Sequence, residues 1–383
     1  MVIFATDSIE SPTFGGEHRS HQLSLIFERH GIRFRHCYSD RFMDHFRPGR
    51  RGLRSRTAFL RAMRRGIPLS MLRAMGHRVS AAEELQARLP DYRRWTAEAD
   101  LVVFDHPFAF PFIEPVLGDR RVVYSSQNIE ARILGDYFQR IHPTGREKAR
   151  LDQRIRAAEQ ALTRRADLVI ACTERDARHY RSDGARRVVV APNGSLRLPP
   201  IEDPELAGVP YERYALFISS GWSPNVEGLL RYCEDLMLPP DRALVCAGGI
   251  GDSAHAAMKR LRANASLAFT GRVSHARLGA ITSGASAIVI PMLDAGGSNI
   301  KTAEALLTRK RILATPHAFR GFEAFAGSAG VTLCPSPIEL QKALSETLEQ
   351  EPRHFERPEA EALLWPAALA PAEEALLELL GAR

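Results

Sequence analysis

Short apolar runs recur along this chain, and between them lie longer stretches in which apolar residues return every three or four positions. The runs VIFAT, IRFRHCY, LVVFD, RVVYSS, LVIACT and RVVVAP read as strands, and so do the later YALFISS, ALVCAG, LAFTG, AIVIPM and RILATP. The intervening stretches read as amphipathic helices, as in Glu147 to Arg165, where Leu151, Ile155, Ala158 and Leu162 share one face. Strand and helix alternating this regularly predict parallel sheets covered on both faces, an α/β architecture. The pattern breaks once. After APNGS, residues 196–213 hold four prolines and little periodicity, which predicts a linker. The expected organisation is a doubly wound, Rossmann-like domain over 1–195, a linker over 196–213 and a second Rossmann-like domain over 214–360. Residues 361–383 are expected to form two helices, broken at Pro366 and Pro371, that pack back on the first domain.

Length and composition agree with two soluble domains: 383 residues, 45% hydrophobic and 25% charged. No apolar run approaches the roughly 18 residues of a membrane span. MVIFATDS has neither a basic n-region nor a long apolar core, so no signal peptide is expected. The five cysteines, Cys37, Cys172, Cys233, Cys246 and Cys334, are scattered and form no C-x-x-C pair. Buried thiols in a reducing cytoplasm are expected, and no metal site. The net charge is +7, and the excess is concentrated: Arg41 to Arg78 holds eleven arginines and one acid, Asp44. Apolar residues interleave with these charges. A helix there would suit an anionic membrane surface, with Arg61, Arg64 and Arg65 as the docking cations, or would be a solvated face on the domain core; nucleic acid is not expected.

In open α/β sheets ligands lie beyond the carboxyl ends of the strands, so the strand-to-helix turns carry the chemistry. DAGGSNIKTAEALL, after AIVIPM, has a Gly-Gly turn followed by a helix with a lysine in its first turn. The helix dipole disfavours a cation there by about 0.3–1 kcal/mol, which an anionic ligand would offset. Free amides at Gly297, Ser298 and Asn299, with Lys301, suit phosphates, and Glu304, three residues on, suits a ribose diol. A Walker motif fails here, because Ala295 and Ile300 stand where its glycines belong. CAGGIGDSA matches the dinucleotide fingerprint at Gly249, Gly251 and Ala254, but the next strand ends in Thr270, Gly271 and Arg272 without the required acid. A tight turn is expected instead, and no nicotinamide. TFGGEHR offers Gly15 and Gly16 before a helix, and VVFDHPF puts His106 just past a strand end.

The ordered series FGGEHR, SSQNIEARI, RADLVIACTERDA, VVVAPNGS, FISSGWSPNVEGL, FTGRV and GGSNIKTAEAL resembles the family-4-type glycosyltransferases (glycosyl transferases group 1) of the GT-B fold over nearly the whole chain. The resemblance implies two Rossmann-like domains with an active site in the cleft between them. It implies transfer of a hexose-type sugar from a nucleoside diphosphate to a glycan or lipid-linked acceptor, with retention and without bound metal or other cofactor. By the same resemblance Gly297 to Lys301, Ile300 included, match the diphosphate loop, with Gly296 before it among the donor-binding residues, and Glu304 matches the ribose ligand. Arg272 and Val273 follow the strand that meets the base. His106 lies near the transferred sugar, and Gly15, Gly16 and Arg19 form the first-domain loop facing phosphates. His106 and Lys301 are the implied catalytic pair.

Two positions depart from the family. Many members carry E-x7-E, whereas the position eight before Glu304 is Gly296. Members often carry a base in the first loop of the second domain, where this chain has GWSPNVEGL, leaving Lys301 to meet the phosphate charge alone. A catalytically silent sugar-nucleotide-binding protein and a GT-B sugar-nucleotide epimerase are the alternatives. A cytoplasmic location, with peripheral contact to a membrane, is the expected setting.

Overall fold

A computed structural model describes residues 2–5, 12, 15–38, 88–133, 145–293 and 296–381. The chain divides into two compact units, Met1–Ala191 with Pro371–Arg383, and Pro192–Ala370. The arginine-rich stretch, including Arg61, Arg64 and Arg65, lies outside the described residues, as do Asp294 and Ala295.

The first unit is built on a parallel sheet of β1 (Val2–Ala5), β2 (Arg35–Tyr38), β3 (Leu101–Phe104), β4 (Arg121–Ser125), β5 (Leu168–Ala171) and β6 (Val188–Val190). Their order is β2-β1-β3-β4-β5-β6. β3 and β5 are buried at every position, as a strand covered on both faces must be. The order reverses direction between β1 and β3, and a crevice opens at the carboxyl ends of strands where that happens.

The second unit is the Pro192–Ala370 segment. Its parallel sheet holds β7 (Arg213–Ile218), β8 (Arg242–Ala247), β9 (Leu267–Gly271), β10 (Ala287–Ile290), β11 (Arg311–Ala314) and β12 (Val331–Leu333), in the order β12-β11-β10-β7-β8-β9. Successive side chains go to opposite faces: Ala215, Phe217, Leu244, Cys246 and Val289 join one core, while Leu216, Val245, Ile288 and Ile290 join the other. Here the order reverses between β7 and β10, the strand that precedes the Gly-Gly turn.

The fold class is the one expected. Three local expectations need correction. β12 was not anticipated, because VTL is a short, partly exposed run. Residues 196–213 belong to the second unit, where Asp203 caps a helical turn at Pro204–Ala207 and Ile201 N–H donates to Ser283 Oγ at 2.9 Å. The C-terminal stretch is one helix, Trp365–Leu380, and not two. Pro366 occupies its first turn, where no N–H is needed. Pro371 lies on the exposed side, and Ala367, which loses the N–H that residue 371 would otherwise donate to its carbonyl, is exposed to water. All five cysteines are buried and none forms a disulfide. Among the described residues no helix is long and apolar enough to cross a membrane.

Candidate functional site

The second unit brings Lys301, Glu304 and Asn225 together where its sheet reverses. After β10 the chain passes through Gly296 and Gly297, with φ of 77° and 54°. Side chains with a Cβ avoid that region, so this turn requires glycine. Asn299 then caps the helix Ile300–Leu307, its side chain accepting from Lys301 N–H at 3.3 Å. Thr302, Ala303, Leu306 and Leu307 turn into the core, which leaves Lys301 and Glu304 half-buried on the next face. Ile300 is likewise only half-buried. The two titratable groups line a small cavity with Ile218 and Ile290.

Lys301 Nζ donates to Asn225 Oδ1 at 3.3 Å. Asn225 is buried, and its Nδ2 donates to the carbonyl and hydroxyl oxygens of Ser220 at 3.1 Å each, which fixes the amide oxygen toward the lysine. This asparagine comes from the helix Ser223–Cys233, in the GWSPNVEGL loop that lacks a base. The approach is possible because residue 228 is glycine: a Cβ there would stand 2.1 Å from the Pro291 carbonyl oxygen.

The Glu304 carboxylate makes no hydrogen bond or ion pair with a described residue. Burial pushes it up to about 7, against the opposing pull of Lys301. Burial likewise draws Lys301 down to about 8, with Glu304 acting against it. The pair is therefore a cation and an acid close to their titration points near neutral pH, and among the described residues neither forms an ion pair.

The loops after β7, β8 and β9 converge nearby. Gly248 N–H donates to the Gly271 carbonyl at 2.8 Å and Ile250 N–H to the Ser219 carbonyl at 3.1 Å. Gly249–Asp252 is a 3-10 turn, as the missing acid of the dinucleotide pattern led us to expect. Arg272 is exposed beyond β9 and lies over this turn, since a Cβ on Gly249 would be 3.4 Å from its Nε. Val273 packs at the edge of the core.

In the first unit Gly15 and Gly16 open the helix Gly15–Arg29, and Arg19 is buried within it. Gln127 Nε2 donates to the Gly16 carbonyl at 3.2 Å, and Ser20 Oγ donates to Asp105 at 3.0 Å. Beside Asp105, His106 stacks on Phe108, and its Nδ1 lies 2.9 Å from Glu130 Oε1. A carboxylate accepts, so the proton of this bond is on Nδ1.

Glu130 begins the helical turn 130–133, whose N-terminus is capped from within by Glu159. Glu159 accepts from the backbone N–H of Glu130 and Ala131 at 2.9 Å each and from Tyr124 OH at 3.0 Å; Tyr180 OH is 3.1 Å away. Burial first, and the neighbouring Glu130 second, push Glu159 up to about 7. Sequence reasoning missed Asn225, Glu130 and Glu159. Each acts on a residue tens of positions away, so no local spacing marks it, although SSQNIEARI and GWSPNVEGL are among the words that carry the resemblance.

Among the described residues no group of three or more His, Cys, Asp or Glu is arranged to hold a metal ion.

No family model matches the chain, and no curated protein matches it. Solved structures do. Sucrose-phosphate synthase from Thermosynechococcus elongatus is similar over 100% of this chain and 99% of its own, with TM-score 0.66 and 15% identity. WaaG, a glycosyltransferase involved in lipopolysaccharide biosynthesis, covers 100% of both chains at TM-score 0.59 and 15% identity. Anabaena HepE, solved in complex with UDP-glucose, covers 100% of this chain and 99% of its own at TM-score 0.57 and 16% identity. At such identities the likeness establishes the fold, which is that of GT-B glycosyltransferases.

Proposed function

We propose that this protein is a glycosyltransferase that takes its sugar from a nucleoside-diphosphate donor held by the second unit. The observation that carries the reading is the Lys301–Glu304 pair. A cation and a carboxylate without a hydrogen bond to any described residue stand one helical turn apart, past two glycines, at the reversal of a parallel sheet. That combination suits a ligand with a diphosphate and a vicinal diol. The loop Gly296 to Ile300 and Lys301 receive the diphosphate, Glu304 the ribose hydroxyls, and Arg272 and Val273 flank the base. The fold shared with HepE, which was solved with UDP-glucose, supports trying UDP-sugars first.

Transfer breaks the bond from the anomeric carbon to the diphosphate oxygen, and the electron pair leaves with the diphosphate. Lys301 and the loop amides stabilise that charge as it develops, and this stabilisation is a large term in such catalysis. The acceptor oxygen forms the new bond, and its proton passes to the departing diphosphate oxygen. His106, oriented by the contact of Nδ1 with Glu130, is the sugar-facing residue of the first unit in this reading. Gly15, Gly16 and Arg19 form a second anion-facing turn in the first unit. We further propose retention of anomeric configuration, a metal-free reaction and a glycan or lipid-linked acceptor. Docking on an anionic membrane through Arg61, Arg64 and Arg65 belongs to the same reading.

The test is thermal stabilisation by UDP-, GDP-, ADP- and TDP-sugars, followed by assay for free sugar and nucleoside diphosphate. Stabilisation by one class with slow release of products, unaffected by EDTA and lost in Lys301→Ala, supports the proposal. Stabilisation with no release supports a silent sugar-nucleotide-binding protein, a reading favoured by Gly296 in place of the first acid of E-x7-E. A changed sugar still linked to nucleotide indicates an epimerase. Stabilisation by none of the four classes sinks the proposal.

A further inference from the structure

The APNGS segment is a sequence word to which the proposed reaction assigns no task. It is where the chain enters the second unit, which begins at Pro192. Its geometry is specific. Asn193 N–H donates to Ser298 Oγ at 2.8 Å, and Asn193 Nδ2 donates to the Ser298 carbonyl at 2.8 Å. Both residues are buried, at 8% and 7% exposure, so each bond is made away from competing water. Ser298 belongs to the Gly-Gly-Ser-Asn turn that precedes Lys301.

Asn193 is itself held. Ser195 N–H donates to the Leu363 carbonyl at 2.8 Å and Trp365 N–H to the Ser195 carbonyl at 3.3 Å, forming an isolated parallel bridge. Gly194 fits beneath this bridge only for want of a side chain, since a Cβ there would lie 2.8 Å from Trp365 Cα. The segment is thus pinned on one side by Leu363–Trp365 and, on the other, pins the turn.

A turn that passes through two glycines is costly to hold in one shape, because glycine loses the most backbone freedom on ordering. An anion site gains affinity when that cost is met before the ligand arrives. The polarity of the clamp is also informative. Ser298 Oγ is used as an acceptor, so its hydroxyl proton is left to donate elsewhere.

We infer that Asn193 is a positioning residue for the diphosphate: it sets the Gly296–Asn299 turn, and the Ser298 hydroxyl within it, in the conformation that receives phosphate oxygens. The inference rests on the reading of that turn as the diphosphate site of a nucleotide-sugar enzyme.

The experiment compares the unaltered protein with Asn193→Ala and with Asn193→Asp, which keeps the shape but cannot donate. Calorimetry with UDP and with uridine is paired with amide hydrogen exchange of the unliganded proteins. Both variants are expected to lose about tenfold in UDP affinity, the scale of one lost buried hydrogen bond, with less than about a twofold change for uridine. Exchange is expected to quicken in residues 296–301 and to stay unchanged in 311–318. Equal losses for UDP and uridine, or unaltered exchange at 296–301 in a protein that binds UDP, would overturn the inference. Failure of the unaltered protein to bind UDP or any other nucleoside diphosphate would overturn the donor reading beneath it, while the exchange data still decide whether Asn193 holds the turn.

Discussion

Glu159 in the first unit and Glu304 in the second are both pushed up to about 7, and in both burial is the first cause. Their surroundings are opposite. Glu159 is ringed by the N–H groups of Glu130 and Ala131 and the hydroxyls of Tyr124 and Tyr180. Glu304 lines a cavity and has no hydrogen-bonding group among the described residues. A shifted carboxylate is therefore not by itself a functional sign. What separates the two is whether the fold supplies the donors that burial makes necessary. Where it does, the acid serves as an internal helix cap that points Glu130 at His106. Where it does not, the carboxylate fits the ribose role proposed for it above.

The largest effect that tests this contrast is on stability. Glu159→Ala orphans two buried backbone donors at about 1–3 kcal/mol each, so unfolding of the first unit in urea should become easier by about 2–6 kcal/mol. Glu304→Ala should leave stability unchanged or slightly improved. If the two variants lose stability equally, the distinction between a satisfied and a waiting carboxylate collapses.

Next comes binding. Glu304→Ala should weaken both uridine and UDP by about 1.5–3 kcal/mol, through loss of charged hydrogen bonds to the diol. Lys301→Ala should weaken UDP by a similar amount and uridine hardly at all, because the ammonium opposes the diphosphate. Titration calorimetry of the four combinations checks the pattern. Nucleotide affinity untouched by Glu304→Ala would remove the ribose assignment.

The smallest effect is a pH dependence. Lys301 sits below its usual range at about 8, so its charge is present at lower pH and is lost as pH rises through 8. Glu304 sits above its usual range at about 7, so the accepting carboxylate forms only as pH rises through 7. UDP affinity should therefore peak between about pH 7 and 8 and decline on either side. In Lys301→Ala the alkaline decline should vanish while the acid one stays. A flat profile from pH 6 to 9 in the unaltered protein would mean that ligand and solvent, not these two groups, govern binding.

Most of the fold was legible, because a strand buried on both faces must be an unbroken apolar run, as LVVF and LVIA are. The face shared by Lys301 and Glu304 was legible too, since a spacing of three fixes it within one helix. Partners across the fold were not. Asn225 reaches Lys301 over 76 positions, and Asn193 reaches Ser298 over 105. Such contacts follow from strand order, and strand order is set by packing of the whole sheet. The C-terminal helix misled for a different reason. Proline was read as a break, but its cost depends on whether the carbonyl it strands is exposed, and here it is.

That helix also sets an order of events during synthesis. The first unit is discontinuous: it includes the residues from Pro371 onward, where Glu373 pairs with Arg29 and His30, Glu378 pairs with Arg187, and Ala372, Ala375 and Leu376 are buried. The second unit is one uninterrupted segment. Domains ordinarily fold in the order in which they emerge, but here the earlier unit cannot complete its structure before the later one has been made. The earlier one waits, with part of its surface uncovered, until the helix is released. A released chain truncated before residue 371 should therefore carry a protease-resistant second unit and a first unit still open to cleavage and to chaperones.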